Sequence, residues 1–387
     1  MSQNTLITNA RIVLERQIIP QGALLLADGK IAVLGKASDI KAPEDAHVID
    51  AENAFVGPGF VDIHNHCGGW RFDGAEVARH ARHYLRYGTT SLLPTFFYQM
   101  SFEAALNGLD AMRALMAQED TTVRGVNFEG PYLNPNYGYS GELVWDIQKK
   151  EYDRLIEKGD GVIKIWCVAP EREGIEAFVK AASVIHPVFS AAHTEATMEE
   201  LVALLPYGLK LATHHMNATG CKGGRGRGIR NFGLDEAVQL CDDITIELIA
   251  DGKGVHVPPY ALQLAYKIKG PGKTCLITDS TEFVESNDVA PVQGDLRFGE
   301  NGDLMGSAMT MDGALRNMMM HAGVSLCDAF RMASSTPAAL IGLHNRGRML
   351  KGYVADLVFL DDTLHVQRVL LAGKEVYHAS ESYPKSR

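Results

Sequence analysis

Residues 56–66 read VGPGFVDIHNH, an apolar strand that ends on two histidines one residue apart. Side chains alternate along a strand with period two, so His64 and His66 point the same way and can grip one metal ion. Seven more short apolar segments follow: TSLLPTF (90–96), VRGVNF (123–128), VIKIWCVA (162–169), PVFSAA (187–192), LKLAT (209–213), ITIELIA (244–250) and TCLIT (274–278). Between most of them lie amphipathic stretches with helical spacing of apolar residues, such as DAMRALMAQ (110–118) and EAFVKAASVI (176–185). With GFVDI (59–63) as the first, eight strands alternate with helices, the pattern of βα units around a parallel sheet. The expected fold class is α/β, a (β/α)8 TIM-like barrel.

In such a barrel the C-terminal strand ends share one face, so residues far apart in sequence can converge there. His64 and His66 follow the first strand, Glu129 the third, His193 the fifth, His214 the sixth and Asp279 the eighth. Imidazoles and carboxylates together are the ligand chemistry of zinc and related divalent ions. A histidine taken singly is more often a surface or satisfied core residue. That reading is kept for His80, His83, His344, His365 and His378, while His215, His256 and His321 stay open. Asp279 alone would read as a helix N-cap; its company makes it a catalytic candidate. Cys67 reads as packing.

The chain ends look different. TLITNARIV (5–13), GALLLAD (22–28) and KIAVLGK (30–36) alternate apolar and polar residues, with Asp28-Gly29 as a hairpin signal. ADLVFLD (355–361), VQRVLLA (366–372) and KEVYHA (374–379) repeat the pattern, with a turn at Ala372-Gly373. These segments predict a small β-sandwich domain built from residues 1–55 and 346–387 around a barrel of residues 56–345.

Composition narrows the function. The 387 residues are 46% hydrophobic and 22% charged, ordinary for a soluble globular enzyme. A formal net charge of −10 argues against a nucleic-acid partner, which needs a basic surface. No stretch reaches the roughly 18–20 apolar residues of a membrane span, and MSQNTLITNARIVLERQ lacks the apolar core of a signal peptide. Six scattered cysteines without a C-x-x-C pair fit reduced thiols, so a cytoplasmic location is expected.

The serial motifs PGFVDIHNHCGG (58–69), EGPYLNP (129–135), AAHTEATMEEL (191–201), THHMNA (213–218), ADGKGVHV (250–257), LITDS (276–280) and GSAMTM (306–311) make the chain similar to N-acetylglucosamine-6-phosphate deacetylases of the amidohydrolase superfamily. The β-rich ends resemble amidohydrolases in general, so the likeness covers nearly the whole chain. It implies a divalent metal, zinc, as one or two ions, with Glu129, His193 and His214 as ligands of the principal one. It implies His64 and His66 on a second, with Glu129 bridging. Lys164, early in the fourth strand, is poorly placed for the carboxylated-lysine bridge of other amidohydrolases. By the same resemblance Asp279 is the general base and later acid, and His256 polarises the carbonyl. Asn217, Ala218, Arg225, His256 and Met309 are the implied substrate contacts, and a homodimer is implied.

Three departures touch the substrate side. NYGYSG (136–141) replaces the family's K-G-[AT]-H element, Thr219 stands where relatives carry Met, and TDSTEFVES replaces T-D-A. The loop TGCKGGRGRGIRNFG (219–233) offers Lys222, Arg225, Arg227 and Arg230 among glycines, chemistry suited to a phosphate or carboxylate. The expected reaction is deacetylation of an N-acetylhexosamine 6-phosphate, most directly N-acetylglucosamine-6-phosphate. The alternatives are N-acetylgalactosamine-6-phosphate, an N-acyl amino acid or a cyclic amide, or a non-catalytic barrel.

Overall fold

The structure, a computed structural model, describes residues 4–41, 43–67, 72–97, 100–138, 144–223, 228, 231–281, 292–299 and 302–379. Both chain ends build one hydrogen-bonded sheet. Its order is 374–378, 366–371, 357–360, 55–58, 5–13, 18–27 and 30–36, with 47–50 also paired to 5–13, eight strands in all. The N- and C-terminal parts meet where Phe55–Pro58 runs antiparallel to Leu357–Leu360. The small β-domain expected from the termini is thus present, hydrogen-bonded as a single sheet rather than as two.

Asp28 and Gly29 have φ of 49° and 72°, and Ala372 and Gly373 have 47° and 77°. Positive φ at both central residues matches the right-handed strand twist and makes tight hairpins. The two turns pack together, because a Cβ on Gly29 would sit 2.8 Å from the Ala372 carbonyl oxygen. Ile7, Leu24, Val56, Leu357, Phe359 and Leu370 give this domain its own apolar core.

The chain leaves this sheet at Pro58 and enters the barrel at Phe60. The barrel strands are β1 (Phe60–Asn65), β2 (Thr89–Phe97), β3 (Val126–Tyr132), β4 (Ile163–Val168), β5 (Val188–Ala191), β6 (Leu209–Ala212), β7 (Thr245–Ile249) and β8 (Thr274–Ile277). They pair in sequence order, all parallel. A bridge between Asn65 and Ser280 brings the last strand to the first, with Asp279 N donating to His64 O at 2.9 Å. Beneath that seam the Asp62 carboxylate accepts from Thr278 Oγ1 at 2.6 Å and Asn65 Nδ2 at 3.1 Å. Burial pushes the Asp62 carboxyl up to about 6 against these hydrogen bonds.

Strands covered on both faces read as nearly continuous apolar runs, and these do. Helices follow each strand, among them 102–116 and 175–182 where the amphipathic stretches predict them. Phe178 of the second is fully buried, with ring centroids 4.7 Å from Tyr132 and 4.9 Å from Trp166. Burying such a side chain contributes roughly 1.5–3 kcal/mol. Two features differ from expectation. Strand β3 runs on to Tyr132 and β1 to Asn65, so Glu129 and His64 project from within their strands instead of following them. Between β8 and the helix 311–322 stands a three-stranded antiparallel sheet of residues 292–293, 296–298 and 304–307. No helix among the described residues is long and apolar enough to cross a membrane.

Candidate metal centre

At the C-terminal face of the barrel, two groups of three ligating atoms converge. His64, His66 and Asp279 form one, and Glu129, His193 and His214 the other, with the atoms of each group within 4.8 Å of one another. Glu129 joins them. Its Oε1 lies 2.9 Å from His193 Nε2 and 3.1 Å from His214 Nε2, and its Oε2 lies 3.4 Å from His66 Nε2 and 3.6 Å from His64 Nε2. Asp279 Oδ1 lies 3.1 Å from His66 Nε2 and 3.4 Å from His64 Nε2, which makes it a third member of the H-x-H group as well as a candidate base. All six side chains are buried.

The hydrogen bonds behind these groups aim them. His193 Nδ1–H donates to Tyr137 O at 3.2 Å, His214 Nδ1–H to Asn217 O at 3.1 Å and His64 Nδ1–H to Glu247 Oε2 at 3.0 Å. With Nδ1 carrying the hydrogen, each Nε2 lone pair faces the centre, the tautomer a metal ligand needs. His64 Nε2 is buried with no hydrogen-bond partner among the described residues. Burial alone would raise the Glu129 carboxyl, but the charge on His64 and its contacts with His193 and His214 hold it well below the usual range. Burial likewise opposes charge on His64, yet Glu129, Asp279 and Glu247 raise it well above an ordinary imidazole. Inward-facing nitrogens, an orphaned buried one among them, and ionised carboxylates fit a divalent cation.

Backbone strain supports the same geometry. His193, His214 and Asp279 have φ of 44°, 28° and 48°, a left-handed region that non-glycine residues rarely adopt. Such positions cost about 1–3 kcal/mol each and cluster where side chains must be turned to a task. Gly138, at φ +103°, backs onto His193, and a Cβ there would meet His193 Nδ1 at 2.5 Å. Gly138→Ala is therefore expected to weaken metal binding at least about 10-fold by displacing that ring, and to lower stability by roughly 1–3 kcal/mol. Metal titration and thermal melting check both. Wild-type affinity in the variant would show that the NYG segment does not set His193.

The match to known proteins agrees with this arrangement. The family model described as the amidohydrolase family matches residues 55–376. The chain belongs to the amidohydrolase family. An N-acetylglucosamine-6-phosphate deacetylase of Lysinibacillus sphaericus is 28% identical over 368 residues, 90% of this chain and 92% of that one. An N-acetylgalactosamine-6-phosphate deacetylase of Escherichia coli O157:H7 is also 28% identical, over 94% and 97% of the two chains. Among solved structures, N-acetylglucosamine-6-phosphate deacetylase from Pasteurella multocida superposes with a TM-score of 0.86 at 26% identity, over 96% of this chain and 99% of that one. A mutant of the Mycobacterium smegmatis enzyme in complex with N-acetyl-D-glucosamine-6-phosphate does so with 0.82 at 26% identity, over 97% and 100%.

Beside the candidate metal ligands, this amidohydrolase holds His256 by both ring nitrogens. Its Nδ1 lies 3.1 Å from Asp251 Oδ2 and its Nε2 3.2 Å from Gly306 O. Burial would raise the Asp251 carboxyl, but hydrogen bonds from the His256 ring and from the Val255 and His256 amides hold it at about 2. Asn217 Nδ2 reaches His256 O at 3.5 Å, and Ala218 turns the chain at φ 51°. Met309 does not line open space: it is 1% exposed and packs in the barrel's apolar cluster. Lys222 is committed to an ion pair with Glu200, so it is not a free cation for an anion. Arg225, Arg227 and Arg230 lie outside the described residues. His321 donates from Nε2 to Asp251 O at 3.0 Å, and the fully buried His215 ring makes no hydrogen bond among the described residues, its Nδ1 lying 3.5 Å from Asp235 Oδ1.

Sequence reading missed three carboxylates. Glu247 stands behind His64, and Asp251 behind His256. Glu171, after β4, accepts from Asn134 Nδ2 at 2.7 Å, from Glu195 N at 2.9 Å and from Thr194 Oγ1, tying the β3 and β5 loops together. A signal existed for Glu247: a single carboxylate inside the apolar run ITIELIA must be paired if that strand is buried.

Proposed function

We propose that this amidohydrolase removes the N-acetyl group of an N-acetylhexosamine 6-phosphate, releasing acetate and the amino-sugar phosphate. The observation that carries the reading is the pair of ligand groups joined by Glu129, with Asp279 beside them, in a chain that matches a deacetylase of this kind over 90% of its length. N-Acetylglucosamine-6-phosphate is the first substrate. Its galactose epimer is the second, because a relative of that name matches equally well at 28% identity.

In this reading His64, His66, Glu129, His193 and His214 hold one or two divalent ions, zinc by donor type. A divalent ion so bound supplies a Lewis acid and lowers the pKa of a water from 15.7 towards about 7. The Asp279 carboxylate takes the proton of the attacking water. It delivers that proton to the amide nitrogen as the C–N bond breaks, so the water's oxygen ends on acetate and its proton on the amine. His256, its Nδ1 held by Asp251, offers Nε2–H to the carbonyl oxygen in exchange for Gly306 O. Asn217 and Ala218 shape the sugar side with Met309 behind them, and Arg225 in the glycine-rich loop takes the phosphate. Six free cysteines support a reducing, cytoplasmic setting, and a homodimer is the assembly proposed.

Acetate release from N-acetylglucosamine-6-phosphate, its unphosphorylated form and its galactose epimer tests the reading. Metal-loaded protein is expected to act on the phosphorylated sugars and poorly on the bare one. No release from any of them, with metal bound, overturns it.

A further inference from the structure

We infer that Glu247 is the positioning residue that commits His64 to the metal centre and so decides whether the His64–His66–Asp279 group fills. The inference rests on the metal-centre reading above and concerns a residue to which that reading gives no task.

Glu247 sits in the middle of β7 and is wholly buried. A buried carboxylate is unfavourable unless it is paired and hydrogen-bonded. No lysine or arginine pairs with it among the described residues. Its Oε2 accepts from His64 Nδ1–H at 3.0 Å and from the His214 backbone N–H at 3.2 Å, and its Oε1 has no hydrogen-bond partner among the described residues. Both donors that its side chain engages therefore belong to metal-ligand candidates.

The contrast with the other imidazoles gives the residue its role. His193 and His214 hand their Nδ1 hydrogens to neutral backbone carbonyls, Tyr137 O and Asn217 O. His64, by contrast, hands its hydrogen to a carboxylate. A carboxyl oxygen as acceptor fixes the tautomer and orients the opposite nitrogen as a donor to a cation. That nitrogen is His64 Nε2, buried and without a hydrogen bond, with Asp279 Oδ1 at 3.4 Å and Glu129 Oε2 at 3.6 Å. The same Glu247 Oε2 also ties the His214 amide, whose residue bends at φ 28°, to β7. One oxygen thus registers His64 in one group against the strand exit that carries His214 in the other.

Two variants of the full chain separate this role from plain core packing. Glu247→Gln keeps an oxygen that can accept both hydrogen bonds and removes only the charge. Glu247→Leu removes the acceptor and fills the space. Zinc binding is read by elemental analysis after dialysis against graded chelator, and the His64 tautomer by nitrogen-15 NMR, with His64→Gln for assignment. Wild-type protein is expected to hold two equivalents. Glu247→Gln should bind the first at wild-type affinity and the second about 10- to 100-fold more weakly, and Glu247→Leu should hold one. His64 should be a single Nδ1–H tautomer in wild type and a mixture in Glu247→Leu, while Glu247→Gln, which keeps the acceptor, stays folded with melting close to wild type.

Two equivalents at wild-type affinity in both variants would overturn the inference. A single equivalent in wild type would do so too, as would loss of both ions together with a fallen melting temperature. No substrate enters these measurements. A protein inactive on every sugar phosphate but with the expected metal pattern would sink the proposed reaction alone, and an active one with metal binding indifferent to Glu247 would sink this inference alone.

Discussion

Asp279→Asn is expected to lower kcat by roughly 10²- to 10⁴-fold, the usual range for loss of a positioned general acid–base. Asn has the same shape, so the turn after β8 and its hydrogen bond from Asp279 N to His64 O should survive. What the amide cannot do is take a proton. Burial would raise the Asp279 carboxyl, yet His64 and His66 hold it below the usual carboxylate range, so the wild-type group is ionised and ready to accept. Because Oδ1 also faces both H-x-H nitrogens, the variant should lose some affinity in that group while Glu129, His193 and His214 keep their ion. Steady-state kinetics with metal content measured on the same samples separates the two effects. Undiminished turnover would move the proton-transfer role to another residue.

The parts of this molecule legible in sequence are those where one residue type carries one structural meaning. Asp28-Gly29 announces a hairpin because few residues accept positive φ at both turn positions, and the structure makes that turn. The strands are legible as apolar runs, and their C-terminal ends bring His64, His66, His193, His214 and Asp279 into two adjoining groups. Less legible are the acceptors that orient these residues. Tyr137 and Asn217 act through backbone carbonyls, which leave no trace in residue identity. Glu171 binds two loops whose proximity exists only once the barrel is closed. The small sheet after β8 is assembled from strands of two to four residues, too short for period-two patterning to register. Glu129 shows the boundary problem: Gly130 and Pro131 look like a strand end, yet β3 continues to Tyr132, paired with Val168.

Glu129 is where geometry makes its sharpest demand. Each carboxylate oxygen serves one ligand group, Oε1 toward His193 and His214 and Oε2 toward His64 and His66. An amide offers one oxygen and one NH2, and the NH2 end can donate but cannot ligate a cation. Glu129→Gln is therefore expected to hold no more than one divalent ion per chain and to lose roughly 10³-fold in kcat, several kcal/mol of Lewis-acid stabilisation at about 1.36 kcal/mol per decade. Glu129→Asp withdraws both oxygens by one methylene and should weaken both groups together. Removing one charge from a buried, paired cluster is itself destabilising by about 3–5 kcal/mol, so a lowered melting temperature is expected beside the metal loss. Elemental analysis, thermal melting and acetate release on the two variants read these quantities separately. Two ions bound at wild-type affinity in Glu129→Gln would mean that the carboxylate is not shared, and that the two ligand groups, although they touch, work as independent sites.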